Sequence, residues 1–362
     1  MLIVIPTYRR NAALKWVLQS LVQCRTESIP EPIRVLVVNN YPPARQEIAA
    51  IVAEFSCEKR IEWNILYREE TLPPVENWYS AIFATASPNE VVFINSDDDP
   101  FMPWSLESRF AEIERLGADM LLAQIDSELF FYKGATRVYQ TPELTHTEQC
   151  GAGLLGMEDV FSYTPAHLSN HCYRNSKGFR AGYDKGMSWC NAQDWLDSHN
   201  RTIFITLYLP FAILLSGGSV AGLQTPCTIR GRDTEEIVAA PYGVPSWNHG
   251  FIHLCALGVL GNPELGDIQE LDRIRVQYRQ EFTRWFLTCM WDSRVERSVL
   301  FETMRRVKFP IWRLLSAKTL AGIRPLLGEW MHLRGARLKR DCERNGIPTD
   351  AFMKQLARRQ NR

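Results

Sequence analysis

Along the first 130 residues, short apolar runs alternate with stretches in which apolar residues recur every three or four positions. LIVIP (2–6) reads as a short buried strand. A helix follows, expected to be capped by Asn11, with Leu14, Val17, Leu18, Leu21 and Val22 at helical spacing. IRVLVVNN (33–40) is the second strand, ARQEIAAIVAEF (44–55) an amphipathic helix and IEWNILYRE (61–69) a third strand. VENWYSAIFATA (75–86) is a helix and EVVFIN (90–95) a fourth strand. This alternation predicts an α/β fold, a mostly parallel sheet flanked by helices. Strands without a polar face predict a sheet buried on both sides. ADMLLAQI (118–125) predicts a further strand, and LFFYKGATRVYQ (129–140) a hairpin turning at Lys133–Gly134.

The run 202–229 carries no charge and is long enough to span a bilayer. Pro210, Gly217, Gly218, Gly222 and Pro226 interrupt it, so it reads instead as two buried strands joined by the SGGS turn. After about Pro245 the pattern becomes helical, beginning with a long run over 267–291. The expected organisation is an α/β domain over 1–240 and an α-helical region over 241–362.

Composition adds little to this, with 46% apolar and 23% charged residues. Charge adds more. The net charge is zero, yet Phe301–Arg362 holds 15 Lys/Arg against 5 Asp/Glu, leaving 26 against 36 in the first 300 residues. A basic tail on an acidic body suits an anionic surface, membrane or nucleic acid, and equally suits a solvated helical bundle. Nine cysteines with no C-x-x-C pair point to free thiols in a reducing, cytoplasmic compartment. MLIVIP is too short and lacks the basic start of a signal peptide.

In an open parallel sheet, ligands bind where strands end at the carboxyl edge. Four strand ends supply polar residues there: Pro6-Thr7-Tyr8-Arg9, Asn39-Asn40, Arg68-Glu69, and Asn95-Ser96-Asp97-Asp98-Asp99. The three aspartates are either the seat of a cation or a solvated turn before Pro100. No G-x-G-x-x-G follows the first strand, which argues against a dinucleotide cofactor, and no P-loop is present. A cation held by carboxylates is a hard one, Mg²⁺ or Mn²⁺, which with few protein ligands also binds substrate phosphates. Asp97 and Asp99, two apart, would share one side of an extended segment.

These residues carry a family resemblance. IPTYRRNAALKWVLQSL, then VVNN, then FINSDDDPFMP, resemble the family 2 glycosyltransferases of GT-A fold over residues 1–230, with Asp97-Asp98-Asp99 matching the D-x-D motif. The resemblance implies a nucleotide-sugar donor, a Mn²⁺ or Mg²⁺ ion on Asp97 and Asp99, and a nucleotide pocket lined by Pro6, Thr7, Tyr8 and Arg9, with Arg68 and Asp98 on the same rim. It also implies a base contact at the end of the second strand. Here an amide, Asn39 or Asn40, stands where the family has an acid. The family's catalytic acid follows a G-F-R stretch. In GFRAGYDKGMSWCNAQDWLDSHNR (178–201) the matching carboxylate is Asp194, with Asp184 and Asp197 as rivals. An inverting transfer needs one such base. Trp189 and Trp195 suit sugar stacking or core packing, and His167, His171 and His199 are ordinary or acceptor-site residues. Arg230 and Arg232 reach the diphosphate or lie on a solvated loop.

The resemblance implies an acceptor glycan or lipid-linked saccharide, made at the inner membrane face. Three alternatives stay open: transfer to hydroxylated bases in nucleic acid, nucleotidyl transfer, and a non-catalytic nucleotide-sugar-binding module.

Overall fold

The structure, a computed structural model, describes residues 1–30, 32–132, 135–138, 152–163, 168–193, 196, 198–233, 255–266 and 268–278. The chain forms two compact units. One comprises Met1–Leu129 and Gln140–Gly231, the other Phe130–Tyr139 and Arg232–Arg362.

The first unit is built on four parallel strands in the order β3-β2-β1-β4: β1 (Leu2–Thr7), β2 (Ile33–Asn39), β3 (Ile61–Tyr67) and β4 (Val91–Ile94). The helices α1 (Asn11–Val22), α2 (Arg45–Ala53) and α3 (Pro74–Thr85) connect them. All six residues of β1 are buried, as expected of a strand covered on both faces. Ile3, Ile5, Val35 and Val37 join Leu14, Val17, Leu18 and Ile48 in one core, together with Leu106 and Ile113 of α4 (Ser105–Leu116). The residues between them, Leu2, Val4, Leu36 and Val38, are equally buried, and α3 packs on β1 and β2. Each such side chain contributes about 1.5–3 kcal/mol on burial.

Beyond β4 the sheet is mixed. β5 (Met120–Tyr132), β6 (Ala135–Val138), β7 (Ala152–Leu154), β8 (His171–Arg174) and β9 (Val220–Asp233) complete nine strands in the order β3-β2-β1-β4-β8-β5-β9-β7, with β6 paired to β5. β8 runs antiparallel to both β4 and β5. Two helices follow it, α5 (Lys177–Asn191) and α6 (Ser198–Leu215), packed against each other.

Two expectations are corrected. The uncharged run over 202–215 is helix, not strand; only its second half, from Val220, is a strand. Phe204 to Ile213 are all buried, so the helix has no polar face to mark its period. Pro210 sits inside it. Among the described residues no helix is long and apolar enough to cross a membrane. Asn11 does not cap α1. It is the first residue of the helix, and Arg10, in the cap position, makes no side-chain cap bond.

In the second unit, short helical segments over 255–260, 263–266 and 269–278 bury Cys255, Val259, Leu260, Leu265 and Leu271. Arg275 ties them together through the carbonyls of Leu260, Leu265 and Ile268 and the Asp272 carboxylate. Most of the run over 267–291, all of the basic tail and the Lys133–Gly134 turn lie outside the described residues.

Candidate active site

The parallel ladder brings Thr7, Asn39 and Tyr67 into register at one edge. It then runs one residue further: the Asn40 N–H bonds Thr7 O, the Arg68 N–H bonds Asn39 O, and the Asn95 N–H bonds Val4 O. Four strand ends thus meet at one rim.

The aspartate triplet on this rim is a turn, closed by the Asp99 N–H to Ser96 O at 3.3 Å. The Asn95 amide holds it from inside, donating to Ser96 O and Asp99 O. It is not solvated: Asp97, Asp98 and Asp99 are 4%, 9% and 1% exposed. The expected extended geometry is also absent, so Asp97 and Asp99 do not share a side by strand alternation. Asp97 accepts the Tyr8 N–H at 3.2 Å. Arg10 Nη1 bridges Asp97 Oδ1 at 3.5 Å and Asp98 Oδ2 at 2.8 Å. Ser96 Oγ donates to Asp98 Oδ1 at 2.5 Å. Asp99 Oδ2 instead accepts the hydroxyl of Ser169 at 2.6 Å.

Burial holds the Asp97 carboxyl above its ordinary pKa, against the pull of Arg10. Burial, then the adjacent Asp99 charge, pushes Asp98 up to about 7, with Arg10 again opposing. Among the described residues no three His, Cys, Asp or Glu side chains form a metal-binding set. The donor set is therefore one or two buried carboxylates, which fits a hard cation that completes its shell with water and phosphate oxygens. It does not fit a structural ion needing a full protein cage.

The amides at the end of β2 divide their roles. Asn40 is spent: its Nδ2 donates to Leu72 O at 2.8 Å and its Oδ1 accepts the Leu72 N–H at 2.9 Å. The Asn39 Oδ1 accepts the Tyr41 N–H at 3.0 Å, while its Nδ2 is buried without a partner. Of the two, Asn39 is the amide with a donor to offer. Arg68 turns away onto α3, bonding the Asn77 side chain, Asn77 O and Ser80 Oγ. Arg9 takes a left-handed backbone (φ 60°), unusual for a long side chain. Its guanidinium lies 5.1 Å from the Tyr8 ring centroid and 4.5 Å from that of Tyr41. Pro6 and Thr7 are buried in β1.

Asp184 is exposed on α5, and Trp189 is half-buried there. Asp194, Trp195, Asp197 and His167 lie outside the described residues, as do the side chains of His199, Arg230 and Arg232. His171 is buried and bonds the Tyr173 hydroxyl through Nδ1 at 2.7 Å, which places it in the sheet. Sequence reasoning missed Arg10, Ser169 and Arg109, all three bound to the acidic turn or its support. Arg10 was legible as the second arginine of YRR. Nothing near Ser169 or Arg109 marked them.

No family model matches the chain, and no curated protein matches it in sequence. Solved structures do. Staphylococcus aureus TarS 1–349 in complex with UDP-GlcNAc superposes with a TM-score of 0.53 at 17% identity, covering 96% of this chain and 92% of that one. S. aureus TarS gives 0.49 at 15% identity over 90% of this chain, which spans 52% of its length. At such identities the likeness is one of fold: the chain has the α/β architecture of a protein that has been seen with UDP-GlcNAc bound.

Proposed function

We propose that the protein is a metal-dependent glycosyltransferase of the GT-A type, resembling family 2, that moves a sugar from a nucleotide-diphosphate donor to an acceptor hydroxyl with inversion. The observation that carries this reading is the buried acidic turn at the carboxyl edge of β1–β4. Three carboxylates withdrawn from water, two of them sharing one arginine and the third held only by a serine hydroxyl, are costly to keep unless a cation joins them. That they end a parallel strand in a fold shared with a UDP-GlcNAc-bound protein supports a nucleotide sugar as the ligand.

In this reading Asp97 and Asp99 hold Mn²⁺ or Mg²⁺. When bound, the ion offsets charge on the leaving diphosphate, which then needs no proton. Thr7, Tyr8, Arg9 and Asn39 line the nucleotide pocket. The free donor of Asn39 suits a carbonyl or ring-nitrogen acceptor on the base. Asp194 takes the proton of the acceptor hydroxyl as that oxygen bonds to the sugar carbon and the bond to the diphosphate breaks. The acceptor is a glycan or a lipid-linked saccharide, and the basic tail meets an anionic surface near it.

The test is a panel of nucleotide sugars, followed for hydrolysis and for a rise in melting temperature with Mn²⁺, Mg²⁺ or EDTA. At least one donor should be hydrolysed slowly, and only with the cation. Stabilisation without hydrolysis or transfer would mean a binding module. No response to any donor with either cation would overturn the reading.

A further inference from the structure

The acidic turn is tied to β8 by one hydroxyl. Ser169, two residues before β8, is fully buried. Its Oγ donates to Asp99 Oδ2 at 2.6 Å and accepts the Ser96 N–H at 2.8 Å. A serine hydroxyl has one proton, and here it is spent on the carboxylate. The same oxygen therefore links the first and last residues of the turn, Ser96 and Asp99. Ser169 is itself held. Its carbonyl accepts Arg109 Nη1 at 2.9 Å. Arg109 is wholly buried on α4. Its Nε and Nη2 bond Ser105 O and Ser105 Oγ, both at 3.2 Å. Its guanidinium lies 4.7 Å from the Phe93 ring centroid and 5.8 Å from that of Phe101. Phe93 belongs to β4, the strand that delivers the turn. One buried cation thus braces both the strand before the turn and the serine that closes it.

A carboxylate free to rotate must be oriented each time a cation arrives. One already fixed by a neutral donor is set in advance, and such outer partners are typically worth about 10- to 100-fold in metal affinity. We infer that Ser169, braced by Arg109, is a positioning residue that fixes the Asp99 carboxylate for cation binding. The inference rests on the metal-dependent reading above.

The experiment uses the full chain and Mn²⁺ as the probe, titrated in the presence of UDP and followed by the electron paramagnetic resonance of free Mn²⁺. Wild type, Ser169→Ala and Ser169→Thr are compared, with melting temperatures recorded in EDTA and in Mn²⁺. Ser169→Ala should weaken Mn²⁺ binding about 10- to 100-fold. It should lose most of the rise in melting temperature that Mn²⁺ induces over the variant's own midpoint in EDTA, a midpoint that itself falls with the loss of two hydrogen bonds. Ser169→Thr, which keeps the hydroxyl, should stay within about tenfold of wild type. Equal affinity in Ser169→Ala and wild type overturns the inference and leaves the metal reading standing. So does an equal loss in the Ala and Thr variants, since the hydroxyl would then not be what matters. A wild type that binds no Mn²⁺ removes the metal reading and the inference with it.

Discussion

Carboxylates kept from water give up their protons reluctantly, and Asp98 shows what that does to the protein around it. Its pKa stands at about 7 against an ordinary 3.8, raised by burial and by Asp99. A carboxyl whose folded pKa lies above its unfolded one binds its proton more tightly in the fold. Its contribution to stability is therefore present at low pH and is lost as pH rises from about 4 to about 7. Asp98→Asn removes the ionisation. In EDTA it should melt above wild type at pH 8 and match it near pH 4. Each tenfold change in proton affinity is about 1.4 kcal/mol, so the gain is capped at roughly 4 kcal/mol. A melting difference that does not shrink on acidification would remove Asp98 as its source. Asp194 makes a kinetic case instead. Asp194→Asn keeps the size and loses the base, so turnover should fall about 10²- to 10⁴-fold with donor affinity kept. A loss of under about tenfold would move the role to Asp184 or Asp197. Single residues were legible where they close a strand, because strand ends in a parallel sheet share a rim whatever lies between them. That logic put Asp97–Asp99, Thr7 and Asn39 on one rim, where the strand ends do meet. It could not find Ser169, whose partner Asp99 is 70 positions away, nor tell that the Asn40 amide is taken up by the Leu72 backbone.

Elements succeeded or failed as readings according to whether their surroundings were uniform. The helices α1, α2 and α3 have one wet face and could be seen in the spacing of their apolar residues. α6 is buried all round, and its apolar run matched a strand as well as a helix; its 18 residues were the better guide. β8 is four residues long and includes a histidine and an arginine, so nothing in HCYR announced a central strand. The contact between α5 and α6 offers a sharp test of the packing. A Cβ on Gly182 would meet the Ile213 side chain and also its Cα at 2.7 Å, which cannot move without shifting α6. One on Gly186 would clash with the Ile205 Cδ1 alone, at 2.8 Å, the far end of a flexible side chain, and would meet Ala212 Cβ and Tyr208 Cδ1 at ordinary contact distances of 3.8 and 4.0 Å. Gly182→Ala should destabilise by about 1–3 kcal/mol. Gly186→Ala should be near neutral, since the strain is offset by up to about 1 kcal/mol of helix propensity. Urea midpoints of the two variants would compare them directly, and equal costs would refute the close approach at Gly182.

At the scale of the whole chain, charge is the feature the sequence states most openly, with the excess of Lys and Arg confined to the last 62 residues. If that excess serves a surface, exchanging Arg334, Arg337, Lys339 and Arg340 for Gln should weaken binding to anionic vesicles and flatten its salt dependence. Duplex DNA as a second surface would separate lipid from nucleic acid. Equal binding by both proteins at low and raised salt would leave the tail as packing. The order of strands has a different consequence, one of timing. β4 ends at Ile94, yet its partner on one side, β8, begins only at His171. While the chain is being made, at about 5–20 residues per second, β4 waits several seconds with a hydrophobic edge unpaired. Until residues 171–174 slide in, Ser169 has not reached the aspartates, and β5 has no bridge to the parallel half. The nascent chain is therefore most exposed to misassociation until the β8 segment emerges, and a chaperone would do most good before that point.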